Sequence, residues 1–198
     1  MSTPTASSPL ETVARNHGAT MASRHGRRVP ANFGSVGAEE AVCLRAVGMA
    51  DRSDRDTFEL RGTPSVVEGA LIAVGEFAWC SFVTADRALA RCEHEHAAAC
   101  RSLLANLDGL NAANRTAAFA AIGLIGPRAK QLLMEIDLNP SGVVIQEALG
   151  CYEIILPAER GPQLWEYLLE AGAPYDLACV GHDALDRLSA AHRFDETT

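Results

Sequence analysis

The sequence lacks any apolar run approaching the ~20 residues that a membrane-spanning helix needs. It also lacks an excess of positive charge: 25 acidic residues stand against 17 basic ones, a formal net charge of −8. That balance disfavours non-specific binding to nucleic acid or anionic membranes, and it aids solubility. Residues 1–28 hold no apolar core of the kind that marks a secretory leader. Arg27-Arg28 is followed by Val-Pro-Ala-Asn, where a twin-arginine export signal would turn apolar. A cytoplasmic protein is expected, partnering neither nucleic acid nor membrane. No Gly-x-Gly-x-x-Gly follows a strand pattern and no Walker sequence occurs, so nothing indicates a nucleotide site of either kind. His17, His25, His182 and His192 have no nucleophile close by in sequence, and a Cys–His pair assembled in space stays open.

What is present is globular in character: 198 residues, 48% hydrophobic and 21% charged. That is enough for one large domain or two small ones. Cys43, Cys80, Cys92, Cys100, Cys151 and Cys179 are scattered along the chain. Without a leader they read as reduced thiols, mostly small core fillers.

The chain is organised around residues 117–135, AAFAAIGLIGPRAKQLLME. Small and β-branched apolar residues from Phe119 to Ile125 suit a strand covered on both faces. Gly126 allows a sharp turn, and Pro127 pre-sets φ for a helix beginning at Arg128. Around this step the pattern predicts a frayed start (1–8), a stretch too sparse for a helix (9–22) and a loop (26–35). A short helix at 39–46 is expected to stop at Gly48. A strand follows at 56–62, a short helix at 64–71 and a strand at 76–84 with Trp79, Ser81 and Val83 on one face. Residues 86–107 follow a helical period through Ala88, Leu89, Cys92, His96, Cys100, Leu103 and Leu104. A turn at 139–142, strands at 143–146 and 152–156, an amphipathic helix at 158–172 and a last helix at 183–190 complete the reading.

The middle repeats itself. Phe58 to Pro64 is strand–Gly–Thr–Pro–helix, and Ile122 to Pro127 is the same device. Residues 83–87 lead a strand into a helix, as 156–160 do later. The expected class is α+β, with two pseudo-repeated β-α-β…α, ferredoxin-like units at 56–107 and 117–172. They sit in a single domain, 36–198, after an extension and loop, 1–35. The strand at 143–146 has no counterpart expected in the first unit.

One cluster has metal-like chemistry. On a helix, Cys92, His96 and Cys100 would share a face at i, i+4, i+8, needing a fourth ligand from elsewhere. The same stripe carries Ala88, Leu89 and Leu103, so small core residues beside a satisfied histidine are the competing and stronger reading.

An ordered series of motifs resembles the folate-dependent aminomethyltransferase superfamily, the glycine-cleavage T-proteins. It runs Ser8-Pro9-Leu10, His17-Gly18-Ala19-Thr20-Met21, then Val29-Pro30-Ala31-Asn32-Phe33-Gly34-Ser35. Glu39-Glu40, Arg45, Gly48-Met49-Ala50-Asp51-Arg52-Ser53 and the Gly126-Pro127-Arg128-Ala129 step follow, covering most of the chain. Asn111-Ala112-Ala113-Asn114 matches a family motif by coincidence. That motif opens the preceding helix, a place that Thr84-Ala85-Asp86-Arg87 takes here.

The resemblance implies the aminomethyltransferase folate-binding fold and makes tetrahydrofolate a possible cofactor. It also exposes departures. T-proteins carry a first hairpin ending in Gly-Gly-x-x-Asp-Asp, whose carboxylate assists methylene transfer; this chain passes from Ile72 almost directly to Phe77 with no acidic pair. The family's Gly-Tyr-Thr-Gly-Glu-Asp-Gly-Tyr-Glu is matched only by Tyr152-Glu153, with Glu147 the nearest acid, two positions off and so on the same strand face. Size and short hairpin are similar to the γ subunit of heterotetrameric sarcosine oxidase, a structural partner of a larger folate-handling subunit. Two functions follow: a subunit or accessory protein of a folate- or flavin-linked one-carbon or amine oxidation system, or a small stand-alone enzyme reusing the pocket. The first implies a larger oxidase subunit or a second copy as partner. Ligand-binding candidates are Asp51, Ser53, Glu147, Tyr152 and Arg187. Asp51 to Ser53 read equally well as a helix-terminating turn, and Glu147 as a solvent-facing residue near a turn. Arg187-Leu188-Ser189 stands in for the family's Leu-Arg-Leu-Glu helix.

Overall fold

The computed structural model describes residues 6–138, 142–148 and 150–195, with side chains described to residue 190. The turn expected at 139–142 lies mostly outside them. The chain opens with β1 (Ala6–Ser7), α1 (Glu11–Asn16), β2 (Thr20–Arg24), β3 (Arg27–Asn32), α2 (Val36–Arg45) and β4 (Val47–Asp51). A first half follows: β5 (Asp56–Arg61), α3 (Pro64–Val74), β6 (Trp79–Thr84), β7 (Arg87–Cys92) and α4 (Ala97–Ala105). β8 (Asn111–Asn114) links it to a second: β9 (Phe119–Ile125), α5 (Ala129–Glu135), β10 (Val143–Ala148), β11 (Cys151–Pro157) and α6 (Gly161–Gly172). β12 (Leu177–Cys179) and α7 (His182–Asp195) complete the chain.

The α+β class is as expected, and several elements correct the sequence reading. Residues 86–107 are not one helix. Thr84 to Arg87 is a hairpin turn, β7 pairs antiparallel with both β5 and β6, and α4 begins only at Ala97. Arg-Ala-Leu-Ala-Arg-Cys fits period two as well as period 3.6, and a buried partner for Arg91 on the facing sheet decides for the strand. Both halves thus run strand–helix–strand–strand–helix, and the first half does hold a hairpin, though without an acidic pair in β6. The segment leading into α4 is Cys92 to His96, not Thr84 to Arg87. Residues 27–32 form a strand rather than a loop, and Gly48 lies inside β4 rather than ending a helix.

Two sheets carry the fold. The first has the order β6-β7-β5-β8, the second β10-β11-β9-β4-β12. β4, which precedes the first half, is the antiparallel neighbour of β9 in the second sheet. β8, which precedes the second half, is the antiparallel neighbour of β5 in the first. The two sheets face each other through Leu89, Ala121, Ile145 and Ile155, with Trp79, Val83, Phe119 and Val143 around them. On its outer face the first sheet buries Phe58, Leu60, Ala88 and Ala90 against Val67, Ala70 and Val74 of α3 and Cys100 and Leu104 of α4. The second buries Ile122, Leu124, Ile154 and Leu156 against Leu132 of α5 and Trp165 and Leu168 of α6. Residues before 36, expected as an extension, supply Leu10 and Val13 to this second core. The layers therefore run helix, sheet, sheet, helix.

The Gly126 turn is as tight as the sequence suggests. Gly126 has φ +133, and a Cβ there would lie 2.3 Å from the carbonyl oxygen of Ala46. Only glycine fits, so the end of α2 and the start of α5 approach as bare backbone.

Candidate functional site

β4 and β5 are joined by Arg52-Ser53-Asp54-Arg55, and from Asp51 to Thr57 all but Arg52 are classed as buried despite four of those being charged. Buried charges must find partners, and this loop shows where they go. Asp51 accepts from the Ser8 hydroxyl and, at 2.9 Å, from the Ser53 amide. Ser53 Oγ accepts from the Ala121 amide at 3.2 Å. These bonds pin the N-terminal segment and β9 to the end of β4. Burial raises the Asp51 carboxyl to about 6, against the bonds from Ser8 and Ser53. Asp51 and Ser53, two of the ligand-binding candidates, thus hold the scaffold beneath the site and do not line its cavity.

The arginines of the loop point the other way, into the gap between the sheets. Glu153 sits in mid-strand on β11, with no exposed surface, on the face turned to the first sheet. Arg91 on β7 donates to it at 2.6 Å, to Thr57 Oγ1 and, at 2.7 Å, to the Arg52 carbonyl. Arg55 donates to Glu153 at 2.7 Å, to Glu147 and to Glu93, and its guanidinium lies 4.4 Å from the Trp79 ring centroid. Arg52 stands 3.4 Å from Glu93 and 3.8 Å from Glu153. Three cations thus meet three carboxylates. Burial works to raise Glu153, but Arg91, Arg55 and Arg52 outweigh it and hold the carboxyl well below the usual range. Glu147 goes the other way: burial and then Glu153 raise it, against Arg55.

Above this cluster opens a cavity of about 940 Å³, near the upper end of the roughly 300–1,000 Å³ typical of small-molecule sites. Its floor is Arg52, Arg55 and Glu147, and one wall is the Gly126 turn with Gly123, Ile125 and Lys130. The opposite wall is α7, through His182, Leu185, Asp186 and Leu188. Arg24 and His25, at the tip of the β2–β3 hairpin, lean over the mouth. Arg24 forms a two-bond pair with Asp186 and an ion pair with Asp54 at 3.1 Å. His25 stacks on His94 at 5.0 Å, and His94 Nδ1 lies 2.8 Å from Asp56.

Of the sequence candidates, Glu147 and Tyr152 line this cavity. Tyr152 is 7% exposed and packs largely into the second core. Arg187 does not line it; its side chain is 67% exposed and pairs with Glu40 at 3.5 Å. The metal-like spacing dissolves. Cys92 ends β7, His96 lies in a short turn and faces the Phe77 ring edge at 5.7 Å, and Cys100 is in α4. Cys92 and Cys100 are buried fillers of the first core. Among the described residues no group of three His, Cys, Asp or Glu side chains is placed to hold a metal.

Sequence reasoning missed Arg55, Arg91, Glu93 and His182. Two signals were there. Glu153 interrupts the apolar run Cys-Tyr-Glu-Ile-Ile-Leu, as a paired buried charge does, and Asp-Arg-Ser-Asp-Arg-Asp packs alternating charge into one short loop.

No profile of a known protein family matches the chain, and no curated protein matches it in sequence. Solved structures do match. The glycine cleavage system aminomethyltransferase T from Bartonella henselae superposes with a TM-score of 0.68 at 17% identity, over 91% of this chain and 60% of that one. The chain thus spans about three-fifths of that protein's length. A chain of the heterotetrameric sarcosine oxidase from Corynebacterium sp. U-96, solved in complex with pyrrole 2-carboxylate, gives a TM-score of 0.53 at 17% identity. There 72% of this chain covers 93% of that one. No helix among the described residues is long and apolar enough to cross a membrane. The two matched structures and the two facing sheets agree: over the length it spans, the chain has the aminomethyltransferase T fold.

Proposed function

We propose that this protein is a subunit or accessory protein of a cytoplasmic folate- or flavin-linked system for one-carbon transfer or amine oxidation. In this reading residues 36–198 act as one domain of two half-units, and a larger oxidase subunit or a second copy is the partner. The observation that carries it is the state of the acids in and beneath the cavity. Glu93, Glu147 and Glu153 are all bound to Arg55, and Asp186 is bound to Arg24. The arginines hold Glu93 and Glu153 below the usual carboxylate range, where a carboxylate is a poor proton acceptor, and Glu147, though raised by burial, is tied up by its bond to Arg55. General base catalysis needs a free carboxylate with a pKa near the working pH. The cavity has room and hydrogen-bonding groups for a folate-sized ligand, with Glu147 and Tyr152 on its lining, so tetrahydrofolate is the first ligand to try. The acid that would assist transfer is missing from β6.

Calorimetry and thermal unfolding with tetrahydrofolate and 5-formyltetrahydrofolate test the ligand. A ligand bound only by the native state must raise stability, so the absence of both heat and stabilisation would remove the folate version. Turnover tests the role: the purified chain alone is expected to transfer no aminomethyl group, and an active homogeneous monomer would overturn the accessory reading. A second reading, a stand-alone enzyme reusing the cavity, is favoured by His182, an imidazole on the cavity wall held by the Asp51 carbonyl.

A further inference from the structure

His182 opens α7 at the foot of the cavity and is 5% exposed. Its Nε2 lies 3.0 Å from the carbonyl oxygen of Asp51 and 3.5 Å from Oδ1 of Asp54. A carbonyl oxygen can only accept, so Nε2 carries the hydrogen and donates it. That fixes the tautomer: in the neutral ring the lone pair is on Nδ1.

Several charged groups surround the ring. Asp54 and Arg52 come from the β4–β5 loop, Arg24 from the hairpin tip, and Asp186 from α7 itself, where Arg24 binds it. Asp183, next in sequence, accepts from Asn32 of β3 at 3.1 Å. Burial pushes the imidazole down to about 4; Asp54 opposes this, Arg52 and Arg24 add to it, and the Asp51 carbonyl opposes it. The ring is therefore neutral across the range in which an ordinary histidine, with a pKa of about 6.5, takes up its proton.

We propose that His182 presents Nδ1 to the cavity as the hydrogen acceptor for a bound ligand, so that the site selects small polar molecules with an N–H or O–H group at this point. Arg52 lines the same cavity, but its guanidinium is turned to the acids below, Nη2 to Glu93 at 3.4 Å and Nε to Glu153 at 3.8 Å. The chemical class is thus a small molecule that offers an N–H or O–H donor at this point, amides, lactams and hydroxy acids among them. The inference rests on the cavity being the ligand site, and it needs neither folate nor a partner subunit.

Diethylpyrocarbonate tests it directly. The reagent acylates unprotonated imidazole nitrogen, and mild acid, about pH 5.5, quenches a histidine of ordinary pKa. Peptide mapping of the native protein at that pH is expected to find His182 modified first. His182→Gln is expected to remove that adduct while the fold persists, because the glutamine amide can still donate to the Asp51 carbonyl. Nitrogen-15 spectra of the labelled protein should show His182 protonated on Nε2 alone. If 5-formyltetrahydrofolate binds, it should slow the acylation, and His182→Gln should weaken its binding about tenfold, the loss of one good hydrogen bond. If it does not bind, the folate reading fails, and the labelling still decides the role of His182. Nδ1 protonation, or a native His182 that reacts only after denaturation, would overturn the proposal.

Discussion

Asp51 and His182 are joined through the Asp51 carbonyl, and both depart from how such groups sit in water. Folded, Asp51 is raised from 3.8 to about 6 and His182 is lowered from 6.5 to about 4. Between about pH 4 and 6 the native state keeps a proton on Asp51 and none on His182, and the unfolded chain does the reverse. A raised carboxyl contributes stability at low pH that is lost as pH rises through 6; a lowered imidazole contributes stability above 6.5 that is lost as pH falls through 4. The two slopes oppose. Urea unfolding of the wild type should therefore change little from these groups over that window. Asp51→Asn should leave stability rising with pH, and His182→Gln should leave it falling. Equal slopes in the two variants would refute the assignment. Glu153 makes a larger demand. Replacing it with alanine leaves Arg91 in the interior without a carboxylate and takes one of three from Arg55, at a cost of roughly 3–5 kcal/mol. Replacing Glu153 and Arg91 together with leucine and methionine should cost much less than the two single changes summed, because the desolvation of both charges disappears. A denaturant titration of the cycle measures this.

At the scale of elements, glycine and leucine positions carry the sharpest expectations. Gly126→Ala puts a Cβ into the Ala46 carbonyl in a backbone region closed to alanine, and should cost at least ~2 kcal/mol. Leu10→Ala should cost about 2–5 kcal/mol in thermal or urea unfolding, the range for emptying a buried leucine site. A cost near zero would mean that the N-terminal segment does not share the second core. Much of this architecture was legible in the chain. β5, α3, β9, α5, β10, β11, α6 and α7 follow their hydrophobic period and punctuation closely. β7 was not, because an alanine-rich stretch satisfies both periods and only the facing Glu153 tells them apart. β4 and β12, of five and three residues, exist through pairing with β9 and with each other, which no local pattern announces. Pro30 disguises β3. It lies beside the bulge at Thr20–Met21 and beyond the two residues that β1 covers, where a strand tolerates proline. The site was less legible than the fold. Glu147 was visible as an offset acid, but Arg55, Arg91 and His182 reach it from a loop, a strand and a helix far apart in sequence.

At the scale of the whole molecule, the strand before each half belongs to the other half's sheet. A gap in the chain at the Leu107–Gly109 turn would leave β5 without β8 in one fragment and β9 without β4 in the other. Each fragment would also bare the apolar inner face that Leu89 and Ile155 now close. Neither fragment, made alone, should show a cooperative unfolding transition or dispersed amide resonances. Mixed, the two should recover both. A fragment that folds by itself would refute this. The exchange has a consequence for how such a chain can be rebuilt. Hairpin turns can be lengthened or trimmed without touching the crossed strands, so variation is expected there, as at the short β6–β7 turn. Neither half can be lifted out and joined to a new partner as a module, because each carries part of the other away.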